Sequence, residues 1–203
     1  MSDRIFIARE SDPAEGRVAG SVETVRKMKT LGLDVLVEAG AGLASRIPDA
    51  DYEAAGARIV GPQEAGSADV ILKVRRPTSA EIATYRSGAV VIATMDPYGN
   101  EAAIAEMGRA GLTAFAMELM PRITRAQSMD ILSSQANLAG YQAVIDAAHE
   151  YDRAMPMMMT AAGTVPAAKV FVMGAGVAGL QAIATARRLG AVVSAIRAAC
   201  WRL

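Results

Sequence analysis

The 203-residue chain has one cysteine, few aromatic residues and no long apolar run. A single Cys200 excludes a disulfide framework and is typical of a reducing compartment such as the cytoplasm. No stretch reaches the roughly 18 apolar residues of a membrane-spanning helix, and the N-terminus lacks the apolar core of a signal peptide. Aromatic residues make up 4% of the chain and are not interleaved with basic runs, so we expect no nucleic-acid binding.

Histidine and acidic residues are also scarce where chemistry could need them. His149 is the only histidine, and no metal-ligand spacing occurs, so we expect no metal site. We expect His149 late in a helix, where it interacts with the helix dipole. No acid follows Asp152, and residues 153–203 carry six basic residues. This segment could attract phosphates, or its acidic partners could be missing, which is the interpretation we favour.

Short β-branched runs alternate with helical patterns over the first half of the chain, which predicts an α/β fold with a parallel sheet. Gly32 and Gly111 follow helical segments and are predicted helix stops. The predicted strands are Ile5–Ala8, Asp34–Glu38, Arg58–Val60, Val70–Val74, Ala89–Thr94 and Thr113–Ala116. The predicted helices lie near Val22–Leu31, Ala50–Ala55, Ser79–Tyr85 and Glu101–Ala110.

A longer helical pattern covers about Gln127–Arg153, which would be roughly 40 Å long. We expect Met157–Ala168 to be a linker or loop and a second sheet to begin at Lys169. The predicted domains are an N-terminal flavodoxin-like α/β lobe (1–126), a connecting helix (127–154) and the start of a dinucleotide-binding lobe (155–203).

The strongest motif is a G-x-G-x-x-G run formed by Gly174, Gly176 and Gly179, between a predicted strand and a helix. The first glycine allows a tight turn, the second lets the backbone approach a pyrophosphate, and the third lets the helix pack on the strand. The free N–H groups of the helix N-terminus would bind the phosphates. The alternative is a close-packed turn without a ligand.

A dinucleotide-binding unit normally has an acid about 20 residues further on, where it holds the ribose hydroxyls. Here that region is Ala191–Arg197, which contains none, and the chain stops at Leu203. We therefore expect a truncated second lobe. Arg197 could alternatively favour a 2′-phosphate, and so NADP.

Polar residues gather before the long helix. Gln127, Asp130 and Ser133 are three residues apart, so neighbours in this series can lie near each other on a helix and could bind a carboxamide and a ribose. However, Thr124 and Gln127 also fit a capping box, and spacing alone favours capping.

Two cations lie beside or within predicted strands. Lys73 is inside an apolar strand, and Arg17 lies near the start of the chain. Each could point into a cleft or be a surface residue whose apolar stem lies along the protein.

Two segments, Met117–Tyr141 and Met159–Val170, resemble the NAD(H)-binding component of proton-translocating NAD(P) transhydrogenases, in the alanine dehydrogenase/transhydrogenase family. The resemblance covers about Arg4 to Ala195 and implies two Rossmann-like lobes with parallel sheets, joined by a long helix. It implies hydride transfer from NADH to NADP+ held on a partner component. The implied catalytic residues are Gln127 and Asp130. The implied cofactor-binding residues are Arg122, Gln127, Ser128, Met129, Asp130, Ser133, Gly174, Gly176, Val177 and Gly179.

The resemblance also implies membrane-spanning and NADP(H)-binding partner components, a homodimer, and a cytoplasmic position peripheral to the inner membrane. Two alternatives stay open. The first is an alanine dehydrogenase, because Arg17 and Lys73 match its substrate-binding positions, although Thr94–Pro97 lacks the catalytic histidine expected there. The second is an inactive truncated fragment.

Overall fold

The computed structural model describes residues 3–121 and 123–196, and the chain divides into two compact units after Met129. The first unit contains a six-stranded sheet, and the second contains a long helix, a hairpin and a β–α–β segment. The predicted α/β class with parallel strands in both halves is confirmed. Arg122, Arg197 and Cys200 lie outside the described residues, and what was predicted of them stays a prediction.

The first unit follows the predicted alternation with small shifts at the ends of its elements. Positive φ angles at Gly32 (+82°) and Gly111 (+75°) confirm the two predicted helix stops. The strands are β1 (Arg4–Ile7), β2 (Asp34–Glu38), β3 (Arg58–Val60), β4 (Val70–Arg75), β5 (Val90–Thr94) and β6 (Thr113–Ala116). The helices are α1 (Val22–Thr30), α2 (Asp49–Ala54), α3 (Ser79–Ile82) and α4 (Glu101–Arg109).

The six strands are all parallel, in the order β3-β2-β1-β4-β5-β6. This is the order of doubly wound dinucleotide-binding folds, whereas a flavodoxin-like sheet places β1 between β2 and β3. The flavodoxin-like label for the first lobe is therefore wrong, because β3 lies outside β2 and the chain then crosses over to form β4. The order reverses between β1 and β4, and ligands of such sheets bind beyond the carboxyl ends of the strands at that point.

Alternating apolar side chains bury the sheet on both faces. Ile7 and Val37 are in register and face one side, where they pack with helix residues Val25 and Tyr52. One register-matched row faces the other side: Phe6, Leu36, Ile71 and Val91. Because both faces are covered, the exposed carboxyl edge is the part of the sheet that can carry a site.

The second unit begins with its long helix, which packs against a later one. Strands β9 and β10 pair in parallel, with Lys169 opposite Val192. The elements are α5 (Ile131–Glu150), β7 (Met158–Thr160), β8 (Gly163–Val165), β9 (Lys169–Met173), α6 (Val177–Arg188) and β10 (Val192–Ile196).

Two predictions for this part of the chain are corrected. The long helix begins at Ile131 rather than Gln127 and is about 30 Å long, because residues 124–129 form a separate 3-10 helix. The predicted linker Met157–Ala168 contains an antiparallel hairpin in which Met158 pairs with Val165. At its turn, Thr160 Oγ1 accepts a hydrogen bond from the Ala162 N–H at 3.2 Å.

Candidate functional site

The residues predicted to bind the nicotinamide side of a dinucleotide occupy two successive structures. Gln127, Ser128 and Met129 are exposed in the 3-10 helix Thr124–Met129, and the buried side chain of Ala126 anchors that helix. Asp130 and Ser133 are half-buried at the start of α5. Arg122 lies outside the described residues.

Asp130 is the N-cap of α5. Its Oδ1 accepts a hydrogen bond from the Ser133 N–H at 2.9 Å, and its Oδ2 accepts one from the Ser133 hydroxyl at 2.6 Å. The predicted capping of the long helix by Thr124 and Gln127 is therefore wrong, since both residues precede the cap. Asp130 and Ser133 form a preorganised carboxylate–hydroxyl pair, and a carboxylate oxygen can accept a hydrogen bond from the hydroxyl of a sugar.

The glycine turn begins at the end of β9. Gly174 has a φ of +97°, a conformation that glycine adopts without a steric penalty. Its N–H donates to the carbonyl oxygen of Ile196 at 2.9 Å, which ties the turn to the end of β10. The turn therefore lies at the carboxyl ends of both strands, where dinucleotide-binding folds carry their ligand.

Gly176 is the N-cap of α6, and no described side chain caps this helix. The Leu180 N–H donates to the Gly176 carbonyl oxygen at 2.8 Å, so the N–H groups before Leu180 belong to the open first turn. A Cβ placed on Gly176 would meet no atom within 4 Å. Open space in front of backbone donors and a positive helix end is the arrangement that binds a phosphate.

Gly179 explains the third glycine of the motif. A Cβ at this position would lie 1.7 Å from the carbonyl oxygen of Gly174 and 3.6 Å from Cγ1 of Val172. Only a residue without a side chain lets α6 approach the turn and β9 this closely. The contact has the geometry that the spacing predicts for this glycine.

Two further residues that shape these segments are not among the predicted site residues. Gly140 is buried in α5, and a Cβ there would lie 2.1 Å from the carbonyl oxygen of Ala178. A glycine inside a helical pattern is the signal that could have found it. Glu118 accepts hydrogen bonds from the N–H groups of Met95, at 2.9 Å, and Asp96. No local signal could have found this second contact, because the partners are more than 20 residues apart.

Lys73 lies where the strand order of the first sheet reverses. Its side chain is fully buried, so the alternative of a surface lysine is wrong. Its Nζ lies 2.6 Å from Oε1 of Glu81 and 3.7 Å from Oε2 of Glu10. Glu10 also accepts a hydrogen bond from the Val74 N–H at 2.6 Å, so the carboxyl ends of β1 and β4 are joined directly.

Arg17 is engaged in a similar way. The nearly buried carboxylate of Glu15 accepts hydrogen bonds from Arg17 Nε at 2.6 Å and from Arg75 Nε at 2.8 Å. The hydrogen bonds from Arg17 are the main cause that lowers the Glu15 pKa to about 2. A cavity of about 260 Å³ beside Arg17 is also lined by Glu10, Asp12 and Glu15. The cations are thus matched by carboxylates of the chain itself.

Other candidate chemistry in residues 3–121 and 123–196 is limited. No group of three or more His, Cys, Asp or Glu side chains there is placed to hold a metal ion. His149 is exposed in the last turn of α5, where the sequence predicts it. In the same part of the chain, none of the helices has the length and apolar character needed to cross a bilayer.

Two family models match the chain in succession. The alanine dehydrogenase/PNT N-terminal domain matches residues 6–139, and the alanine dehydrogenase/PNT C-terminal domain matches residues 143–201. Together they cover both units and the glycine turn.

Individual relatives divide between two enzyme names. The first of the separate parts of NAD(P) transhydrogenase subunit alpha in Rhodospirillum rubrum is 55% identical over 205 residues, which cover 97% of this chain and 53% of that protein. The alanine dehydrogenase of Mycobacterium tuberculosis is 32% identical over 198 residues, which cover 95% of this chain and 53% of that protein. The chain therefore spans about half the length of the curated relatives it matches. Among solved structures, a transhydrogenase from Sinorhizobium meliloti matches with a TM-score of 0.92 and 80% identity, over 95% of this chain and 58% of that one.

Proposed function

The chain belongs to the alanine dehydrogenase/PNT family, and from this premise we propose that it is the NAD(H)-binding component of a proton-translocating NAD(P) transhydrogenase. In this proposal, hydride passes from NADH on this chain to NADP+ on a partner component. The observation that carries the proposal is the open first turn of α6 in front of Gly176. The greater identity to a transhydrogenase subunit than to an alanine dehydrogenase, 55% against 32%, supports the same choice.

The glycine turn fits the pyrophosphate of NAD(H). Gly174, Gly176, Val177 and Gly179 would hold it, with the first-turn N–H groups as donors and Gly176 leaving room for the phosphate oxygens. Backbone donors at a helix N-terminus bind an anion without burying a second ionisable side chain. This fit does not depend on the ribose acid that the sequence lacks.

The nicotinamide side is assigned to Arg122 and to residues 127–133. We assign contacts with the nicotinamide and its ribose to Gln127 and Asp130, with Ser128, Met129 and Ser133 beside them. When bound, the nicotinamide supplies the hydride. The chain needs no general base for this chemistry and instead has to hold the ring at a fixed distance and orientation. The Asp130–Ser133 pair, already hydrogen-bonded at the start of a helix, suits that task.

The proposed partners are an NADP(H)-binding component and a membrane-spanning component, with the chain cytoplasmic and peripheral to the inner membrane through them. The Rhodospirillum rubrum relative is named as one part of a subunit alpha, which indicates that this relative works with other subunits. We also propose a homodimer. The hairpin β7–β8 exposes Met158, Met159 and Val165, an apolar surface that a second copy could cover.

Alanine dehydrogenase is the second candidate, because a relative of that name is 32% identical and because Arg17 and Lys73 match its substrate-binding positions. The structure gives less support to this candidate. Carboxylates of the chain engage both cations, and the segment 94–97 after β5 has no histidine to act as a proton donor. A pyruvate carboxylate would have to displace Glu15 from Arg17.

The test is an NADH titration of the purified chain followed by nicotinamide fluorescence, with NADPH as the matched control. Saturable binding of NADH and markedly weaker binding of NADPH is the expected result. Addition of an NADP(H)-binding transhydrogenase component should then allow hydride transfer, whereas pyruvate and ammonia should give no NADH oxidation. A folded chain that binds neither nucleotide would contradict the proposal and favour an inactive fragment. Sedimentation velocity tests the homodimer separately, and a concentration-independent monomer would contradict it.

A further inference from the structure

We propose that Gly140 is a positioning residue that fixes the first turn of α6, and therefore the pyrophosphate-binding N–H groups, relative to α5. The assignment to a pyrophosphate rests on the proposed function, but the geometry does not. Helix α5 approaches α6 at Gly140, which is buried, and the atoms facing it belong to Ala178.

The contact is between backbones. A Cβ on Gly140 would lie 2.1 Å from the carbonyl oxygen of Ala178, 2.8 Å from its carbonyl carbon and 2.9 Å from its Cα. Rotation of a side chain cannot relieve such overlaps, so even one methyl group would push the two helices apart. Glycine inside a helix costs about 1 kcal/mol relative to alanine, so α5 is less stable here than it would be with alanine.

The atoms opposite Gly140 are those of the proposed phosphate site. Ala178 lies two residues after the N-cap Gly176, in the first turn of α6. Gly179, the next residue, approaches the carbonyl oxygen of Gly174 with equally little space. The first turn is therefore fixed by two close backbone approaches, one to α5 and one to the glycine turn.

The same helix carries the Asp130–Ser133 pair at its N-terminus, ten residues or about 15 Å before Gly140. A rigid α5 that touches α6 at one point sets the spacing between this pair and the pyrophosphate donors. A dinucleotide that contacts both has to match this spacing. Gly140 would then act on affinity without touching the ligand.

The variant Gly140→Ala tests this role, with two controls. Gly108→Ala makes the same change in α4, where a Cβ would meet no atom within 4 Å. Ala139→Gly weakens α5 at an exposed neighbouring position by introducing the less favourable residue. Binding of NADH and of ADP, which has a pyrophosphate but no nicotinamide, is measured alongside thermal stability and amide hydrogen exchange.

Gly140→Ala should weaken both NADH and ADP about tenfold or more, the effect of one misplaced hydrogen bond to a charged group. The amides of residues 177–180 should exchange faster than in the unmodified chain even without ligand. Ala139→Gly should lower the melting temperature and leave both affinities unchanged, which separates positioning from stability. Gly108→Ala should change neither affinity.

Unchanged affinities and exchange in Gly140→Ala would overturn the inference. If the unmodified chain binds neither nucleotide, the proposed function fails, but exchange at residues 177–180 still tests the positioning role. If Gly140→Ala does not fold, the unmodified chain provides the test. ADP binding should then slow exchange at residues 140–144 as well as in the glycine turn, and no change at 140–144 would overturn the inference.

Discussion

The carboxyl ends of the parallel strands carry opposite solutions in the two units. In the first unit, the point where the strand order reverses is filled by ionised side chains such as Lys73 and Glu10, which bond to each other and to the backbone. In the second unit, the corresponding turn carries Gly174 and Gly176, and no described side chain caps the helix behind it. The ligand-binding edge is thus occupied by the protein in one sheet and open in the other.

This difference bears on which unit can bind an anion. Around Lys73 and Arg17, the carboxylates of Glu81 and Glu15 already provide the negative charge, so an anionic ligand would have to displace them. At Gly176, the donors are backbone N–H groups facing open space, and the ligand itself supplies the negative charge. Architecture alone would give both sheets a site, whereas the side chains leave room only in the second.

The largest effect is expected from Lys73→Met, which removes the buried cation and nearly preserves its volume. Glu10 and Glu81 would lose their partner, so the free energy of unfolding should fall by about 3–5 kcal/mol, the usual cost of breaking a buried pair. Urea denaturation followed by circular dichroism measures it. The control is Lys27→Met, because Lys27 and Glu23 form an exposed pair four residues apart on α1, for which a far smaller loss is expected. A loss below about 1 kcal/mol in Lys73→Met would show that the edge of the first sheet is not held by its charges.

The next effect concerns the pH dependence set by Glu15. Its pKa is lowered from 4.5 to about 2 in the folded chain, so its contribution is fully present above pH 4.5 and is lost as the pH falls towards 2. Glu15→Gln should therefore lower the free energy of unfolding by up to about 3 kcal/mol at pH 7, and this difference should shrink steadily between pH 4.5 and 2. Denaturation at several pH values measures it, with Glu23→Gln on the exposed face of α1 as the control. A difference independent of pH would contradict the ion-pair assignment.

Most of the first unit could be predicted from the sequence, because its strands are apolar runs bounded by glycine and polar residues. The bounds of β2, β3 and β6 agree with the prediction to the residue. The strand order could not be predicted, since it depends on which side of β1 each connection crosses. The hairpin β7–β8 also escaped prediction, because its residues are all exposed and lack the apolar alternation that marks a half-buried strand.

The site could be predicted only where local spacing dictates the geometry. The glycine turn is of this kind, since its three roles follow from positions in one short segment. The start of α5 is not, because Thr124–Gln127 and Asp130–Ser133 are two capping patterns of equal spacing, and only the folded chain selects the second. The closure of the first sheet's edge was also hidden, because Lys73 finds Glu10 through the pairing of β1 with β4.

A third variant, Gly176→Ala, tests whether the open edge of the second sheet is a ligand site. The added Cβ meets no protein atom, and the φ of −81° is allowed for alanine, so stability should not fall. The methyl group would occupy the space assigned to the phosphate oxygens, and NADH affinity should fall about tenfold, equivalent to about 1.4 kcal/mol. Fluorescence titration and thermal melting measure the two effects. Unchanged affinity in a stable variant would mean that the turn does not contact the cofactor.

The smallest effects separate the two roles of Asp130. Asparagine and aspartate cap helices about equally well, so Asp130→Asn should change the free energy of unfolding by less than about 0.5 kcal/mol, whereas Asp130→Ala should cost about 1 kcal/mol. If the carboxylate also accepts a hydrogen bond from the nicotinamide ribose, both variants should weaken NADH severalfold and leave ADP binding unchanged. Parallel titrations with NADH and ADP measure this. If affinity instead follows stability, with only the alanine variant impaired, Asp130 is a cap alone, and the glycine turn is the only part of the described chain that acts on the cofactor directly.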